Sequence, residues 1–250
     1  LICEAYHLMK DVISMEQGDI AKVFADWNKG ELDSFLIDIT SDILKFKDAD
    51  GQYLLPKIRD VAGQKGTGKW TVISALEYGI PVTLIGEAVF ARCLSSLKDE
   101  RLKASKTLSK NVIKFEGDKK EFIEHLRQAL YASKVISYAQ GFMLLREAAL
   151  INNWHLNYGS IALMWRGGCI IRSAFLGNIK EAFTKNPSLS NLLLDPYFSK
   201  LVLASQKSLR QVVAQAALSG VPAPTFSAAL AFFDGYSSEV LPANLLQAQR

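Results

Sequence analysis

The sequence predicts an all-α fold, and three observations carry that prediction. Apolar residues recur at three- and four-residue spacing in nearly every segment. No stretch sustains the strict alternation that marks a half-buried strand. From Lys119 to Asn152 a helical pattern runs for about 34 residues, against ~11–12 in an average helix, and a helix that long usually crosses a whole domain.

The other elements follow in chain order. Ile2, Ala5, Tyr6, Met9, Val12 and Ile13 form an amphipathic pattern with no N-cap before it. The chain closes inside another pattern (Leu241, Leu245, Leu246) with no Gly or Pro to end it, so both terminal helices are expected to continue in residues outside this chain. Leu32, Phe35, Leu36, Ile39 and Ile43 share helical spacing, with Gly51 punctuating the end. Thr71 is expected to cap a short helix carrying Val72, Ile73, Ala75 and Leu76, closed by Gly79 and Pro81. Residues from about Pro81 to Lys106 read as one longer helix, apolar on most sides and therefore buried. Asn111 to Asp118 is a polar connector and the best candidate for a break between two halves, 1–110 and 119–250. Helices from Ile161 to Phe183 and from Tyr197 to Leu218 follow, then a loop broken by Pro222 and Pro224 and a last helical region.

A weak internal echo accompanies that division. The run from Cys3 to Asp11 matches Ala139 to Glu147 in character, and each is followed by a Trp (Trp27, Trp165) and a Ser-rich apolar segment (Ser34 to Leu36, Ser173 to Leu176). Duplication and coincidence between two amphipathic helices both account for it.

Composition narrows the function classes. A chain of 250 residues with 49% hydrophobic and 22% charged residues belongs with globular proteins, and can build a substantial core as one domain or two. Its net charge of +4, from 29 basic and 25 acidic residues without a dense basic run, argues against nucleic acid and is compatible with a small anion. Cys3, Cys93 and Cys169 are widely spaced and form no C-x-x-C pair, so neither zinc nor a disulfide framework is expected, and reduced, cytoplasmic thiols fit best. His7, His125 and His155 are scattered and read as structural. Apolar stretches are interrupted by charges well short of the ~18 residues of a membrane span.

The stretch best suited to chemistry is Ala62-Gly63-Gln64-Lys65-Gly66-Thr67-Gly68-Lys69-Trp70-Thr71. Glycines let backbone N–H groups approach a ligand and lysines supply charge, which makes an anion cradle. Gly63 to Lys69 also fits the G-x-x-x-x-G-K of a nucleotide-binding P-loop. There the next residue must be Ser or Thr to hold Mg²⁺, here it is Trp70, and no buried strand precedes the loop. An NTPase is therefore the weakest reading, leaving an anion site or an ordinary exposed loop. Arg92 shares a helix face with Ile85, Val89 and Ser96, so its guanidinium needs a partner: either an anion gripped by its planar fork, or Glu87 or Asp99 in an ion pair. Arg166 and Arg172, flanking Gly167-Gly168, read as partners of acidic residues on neighbouring helices.

Seven segments together resemble the C-terminal domain of 6-phosphogluconate dehydrogenase. They are Asp33 to Ile37, Ala62 to Thr71, Gly86 to Leu94, Ile136 to Phe142, Trp165 to Ser173, Phe233 to Tyr236 and Leu246 to Arg250. The likeness is near-colinear over the whole chain, is greatest for animal and fungal members, and is most specific in the Gln64–Trp70 and Trp165–Ser173 blocks. It implies an all-helical substrate-binding and dimerisation domain spanning 1–250, part of an NADP-dependent oxidoreductase of the pentose phosphate pathway. That family oxidises and decarboxylates 6-phosphogluconate to ribulose 5-phosphate. By position, Lys65 and Arg92 match residues that hold the substrate phosphate, with Thr67 a weaker candidate for the same pocket. Arg250 matches an arginine that reaches the phosphate in the partner subunit of a homodimer.

The departures are as informative. The family's catalytic Lys and Glu lie in a K-x-x-H-N-x-I-E-Y segment just before the position of Leu1. Its NADP-binding Rossmann domain, and a tail carrying a substrate-binding His, also fall outside this chain. No catalytic, cofactor-binding or metal-binding residue is therefore expected within 1–250, and a non-catalytic helical scaffold of the same fold is the competing reading.

Overall fold

The computed structural model describes residues 1–250: twelve α-helices and two 3-10 turns, with isolated bridges at Ser34–Ser173 and Lys47–Tyr53 in place of a sheet. The longest helix, α7 (Lys119–Ile151), begins where the Asp118 carboxylate accepts from the Glu121 N–H at 2.8 Å, a side-chain N-cap. Its buried positions, from Phe122 through Leu126, Leu130 and Ile136 to Phe142, lie on several sides, so it runs through the domain rather than along its surface.

Two helices sheathe it. In α10 (Pro196–Leu218), Asp195 accepts from the N–H groups of Tyr197 and Phe198 while Pro196 occupies the first helical position, where its missing N–H costs nothing. In α11 (Pro224–Tyr236), Pro224 again leads, and the cap comes from far away: the Glu4 carboxylate of α1 (Ile2–Asp11) accepts from Thr225 and Phe226 N–H. One continuous core of 39 buried residues draws on both 1–110 and 119–250. Fully burying one large apolar side chain such as Phe24, Phe175, Phe198 or Phe226 contributes ~1.5–3 kcal/mol. The connector between the segments crosses the end of α10, with Ile113 N–H on Leu218 C=O (2.8 Å) and Lys110 Nζ on Gly220 C=O (2.7 Å).

Four expectations about the elements are corrected. α3 (Phe35–Lys45), capped by Ser34, buries Ile37, Ser41 and Leu44 against α2 (Gln17–Trp27), while Phe35, Leu36 and Ile43 of the predicted stripe face outward. A second apolar stripe exists on this helix, and packing selected the one with the small Ser41, whose Oγ donates to Ala21 C=O. The short helix begins at Thr67 rather than beyond Thr71, because Gly66 enters it at φ +120°, a conformation costly for any side chain. The helix expected over 81–106 divides at Leu97 into α5 (Thr83–Ser96) and α6 (Lys98–Thr107), and its buried residues are Leu84 and Gly86 alone. The helix expected over 161–183 divides into α8 (Tyr158–Met164) and α9 (Leu176–Lys185). There Gly168 turns at φ +66° and the following residues pair with the Asp33–Phe35 segment.

Candidate functional site

The glycine-rich loop lies along the C-terminal half of α5 and enters α4 (Thr67–Tyr78). Side chains of α5 hold it there. Ser95 Oγ accepts from Ala62 N–H at 2.9 Å, and Ser96 Oγ donates to Ala62 C=O at 3.2 Å. The Arg92 guanidinium donates to Gly63 C=O, and Gln64 Nε2 lies 3.8 Å from Cys93 Sγ. Two glycines are needed for this docking. A Cβ on Gly68 would stand 2.8 Å from Val89 of α5, and one on Gly66 would meet the Trp70 ring at 3.2 Å in addition to the positive φ.

This arrangement leaves hydrogen-bond donors and positive charge open to an anion. The N–H groups of Thr67, Gly68 and Lys69 open α4 and have no acceptor within the helix, since the ladder starts with Trp70 N–H on Gly66 C=O (2.8 Å). An anion at such a helix start meets both free donors and the positive end of the helix dipole. Lys65, Thr67 and Arg92 are all exposed around this point. Arg92 pairs with neither Glu87 nor Asp99. A carbonyl takes one of its donors, the rest of its fork is open, and Asp99 lies near Arg59 at 3.9 Å instead. The carboxylate nearest in sequence, Asp60, is occupied elsewhere: Lys98 Nζ and Arg101 grip it and hold its carboxyl down to about 2. The positive charge of Lys65, Lys69 and Arg92 therefore has no carboxylate partner, and a phosphate dianion would supply one.

Three of the four residues singled out by sequence are thus brought to one surface. Arg250 is not. It follows α12 (Ala243–Ala248), a single short helix in which every residue is exposed, and its own N–H donates to Gln247 C=O. The predicted apolar side of that helix, Leu241, Leu245 and Leu246, is left more than half exposed. Arg172 faces Asp33 at 3.5 Å, as an acidic partner was expected, whereas Arg166 is exposed without one. His7 contacts Asp11 at 2.8 Å, and His125 bonds Ser208 at 2.9 Å.

The residues that hold the loop, Ser95, Ser96, Asp60, Lys98 and Arg101, escaped sequence reasoning. Ser95, Ser96, Lys98 and Arg101 come from helices 33 to 41 residues further along the chain, Asp60 lies at the start of the loop itself, and nothing in their local pattern announces a partner. Gln140 belongs with them. Buried on α7, it accepts from Leu84 N–H at 3.0 Å and donates to Thr83 Oγ1 at 3.0 Å, so the central helix fixes the start of α5, whose far end carries Arg92.

The family model described as "6-phosphogluconate dehydrogenase, C-terminal domain" matches residues 1–250. The decarboxylating 6-phosphogluconate dehydrogenases of Homo sapiens and Ovis aries are each 68% identical to the chain over 251 residues, and that of Cunninghamella elegans is 61% identical. All three alignments cover the whole chain and 52% of the relative, so the chain spans about half the length of the curated relatives it matches. A Plasmodium falciparum 6-phosphogluconate dehydrogenase, solved in apo form and with NADP+ and 6-phosphogluconate, superposes with a TM-score of 0.96 at 44% identity, covering all of this chain and 54% of that one. With its helical architecture, its loop clasped by α5 and a family match from first residue to last, this chain belongs to the 6-phosphogluconate dehydrogenase C-terminal domain family.

Proposed function

We propose that this chain is the phosphate-anchoring and dimer-forming half of an NADP-dependent, decarboxylating 6-phosphogluconate dehydrogenase, acting in the cytoplasm in the pentose phosphate pathway. The observation that carries this reading is that the loop bearing Lys65 and Thr67 is clasped by Arg92 just before the free N–H groups that open α4, within a chain 68% identical to a decarboxylating relative. In this reading Arg92 grips the phosphate of 6-phosphogluconate with the open side of its fork, Lys65 adds a second cation, and the Thr67 hydroxyl and first-turn amides complete the cradle. Binding energy at the non-reacting phosphate holds the sugar acid in register for chemistry at its other end. No residue of 1–250 is assigned acid–base chemistry. NADP is not assigned to this chain either, because its glycine-rich turn follows no strand and it contains no βαβ unit to cradle a dinucleotide. When bound in the complete protein, NADP would accept the hydride.

Dimerisation explains the outer face. The apolar residues left uncovered on α4, α5 and α12 suit an obligate interface, and a partner subunit would give Arg250 a phosphate to reach. Complementation tests this directly in the full-length protein. Two inactive variants, Arg250→Ala and the double variant Lys65→Ala with Arg92→Ala, are mixed under conditions that exchange subunits. A shared site predicts that activity reappears as heterodimers form, since one of the two sites then receives an intact local pair and the partner's arginine. Heterodimers demonstrated by mass spectrometry but devoid of activity would refute it.

A further inference from the structure

A cavity of about 490 Å³ opens among the first residues of α1, α3, α5, α7 and the loop before α9. That volume falls within the ~300–1,000 Å³ of small-molecule sites. Its walls are mostly aliphatic, and none of Lys65, Thr67 and Arg92 lines it.

Its polar end is unusual for such walls. Lys134 of α7 reaches Ser173 Oγ at 2.8 Å and lies 5.3 Å from the centre of the Phe175 ring. An ammonium has three donors, and here one protein acceptor is found. The nearby carboxylate, Asp33, stands 3.5 Å from Arg172, which also lines the cavity. Two cations and one carboxylate leave one positive charge uncompensated against apolar walls. Burial outweighs the attraction of Asp33 and the Arg172 charge adds to it, so the Lys134 amine is pushed down to about 8 and stays mostly charged at neutral pH. An unpaired charge in such a place is costly, by several kcal/mol when fully desolvated, and an anion entering the cavity offsets that cost.

We propose that this cavity binds a small amphipathic monoanion, its carboxylate between Lys134 and Arg172 and its hydrocarbon part against Leu84, Ile85 and Ile171. The single net charge selects a carboxylate over a phosphate dianion, and the aliphatic walls exclude a polyhydroxylated chain.

The test compares an acid with its uncharged analogue on delipidated full-length protein. Octanoate and 1-octanol share the chain and differ in the head group, and Trp165, 6.3 Å from the cavity-lining Tyr138, provides a fluorescence reporter beside calorimetry. Octanoate is expected to bind roughly 10- to 150-fold more tightly than octanol, as for a hydrogen bond to a charged group. Lys134→Met should abolish that preference while leaving octanol affinity unchanged, and Lys134→Arg should keep most of it. Should Lys134→Met fail to fold, Ile85→Trp, which fills the cavity, is expected to exclude both ligands. Equal affinity for acid and alcohol, no binding of either to the full-length protein, or unaltered octanoate binding in Ile85→Trp would each overturn the assignment.

Discussion

Two regions of this chain are built from the same kind of helix and meet water in opposite ways. Around α7, α10 and α11 the large side chains disappear: Phe198, Phe226, Leu126 and Val212 are all fully covered. In the layer formed by the glycine-rich loop and α4 to α6 they stand in solvent, with Leu76 79% and Trp70 64% exposed, and the buried members are Ala75, Val82, Leu84 and Gly86. The first region is held by its own apolar contacts. The second is held by polar clasps, Arg92 to Gly63, Ser95 and Ser96 to Ala62, and Lys98 and Arg101 to Asp60. The difference teaches that side-chain clasps can seat a layer whose large apolar residues stay exposed, whereas the core is held by burying them.

The comparison breaks most readily in the core. Phe226→Ala removes a fully buried ring beside the Glu4 cap and should cost ~3–5 kcal/mol in urea denaturation. A loss below ~1 kcal/mol would mean that the core is looser than its packing suggests. In the outer layer the large effect is on binding. Arg92→Ala in the full-length protein should weaken 6-phosphogluconate by ~2–5 kcal/mol, roughly 30- to several-thousand-fold, and gluconate much less. Arg92→Lys should also bind poorly, lacking the planar fork. Equal losses on both ligands would make Arg92 a structural clasp on Gly63 and nothing more.

A smaller effect belongs to the boundary between the regions. Lys134 has a lower pKa folded, about 8, than the ~10.4 of an unfolded lysine, so the unfolded chain holds more protons between those values. Stability should therefore rise as pH increases from about 8 towards 10, by up to about 3 kcal/mol, and the rise should vanish in Lys134→Met. Beyond ~10 the trend reverses, because burial raises the Tyr131 and Tyr138 hydroxyls and the unfolded tyrosines ionise first. Thermal melts across that range measure it, and a flat or falling profile from 8 to 10 in the parent would contradict the buried charge. Least of all should Leu76→Ala matter to this chain on its own: less than ~0.5 kcal/mol, as for an exposed site without special contacts. A greater, concentration-dependent loss would show that α4 is covered by a second copy.

Much was legible without the fold. The 3.6-residue period gave α7 to within a residue or two, because a long apolar pattern framed by Asp118 and Asn152 has no competing strand reading. The loop Gly63–Lys69 was legible as either an anion site or an ordinary exposed loop, because glycine and lysine at that density suit both. Burial was less legible. Phe35 and Ile43 of α3, and Phe90 and Leu94 of α5, carry the apolar pattern of core residues and stand exposed. Period reports which residues share a face, and a neighbour decides whether that face is covered. The breaks at Leu97 and Gly168 were missed for a related reason, since each is stabilised by groups far along the chain: Asp60 binding Lys98 and Arg101, and Asp33 receiving the Ala174 N–H.

By itself, then, the sequence determined the helical class and the place of the glycine- and lysine-rich loop, because propensity, glycine content and charge are local properties. Tertiary structure alone decided that Gln140 sets the start of α5, that Arg92 clasps Gly63 and leaves Glu87 and Asp99 alone, and that Lys134 carries its charge into an apolar cavity. Those depend on which distant donors and acceptors packing brings within about 3 Å, and no local pattern encodes that distance.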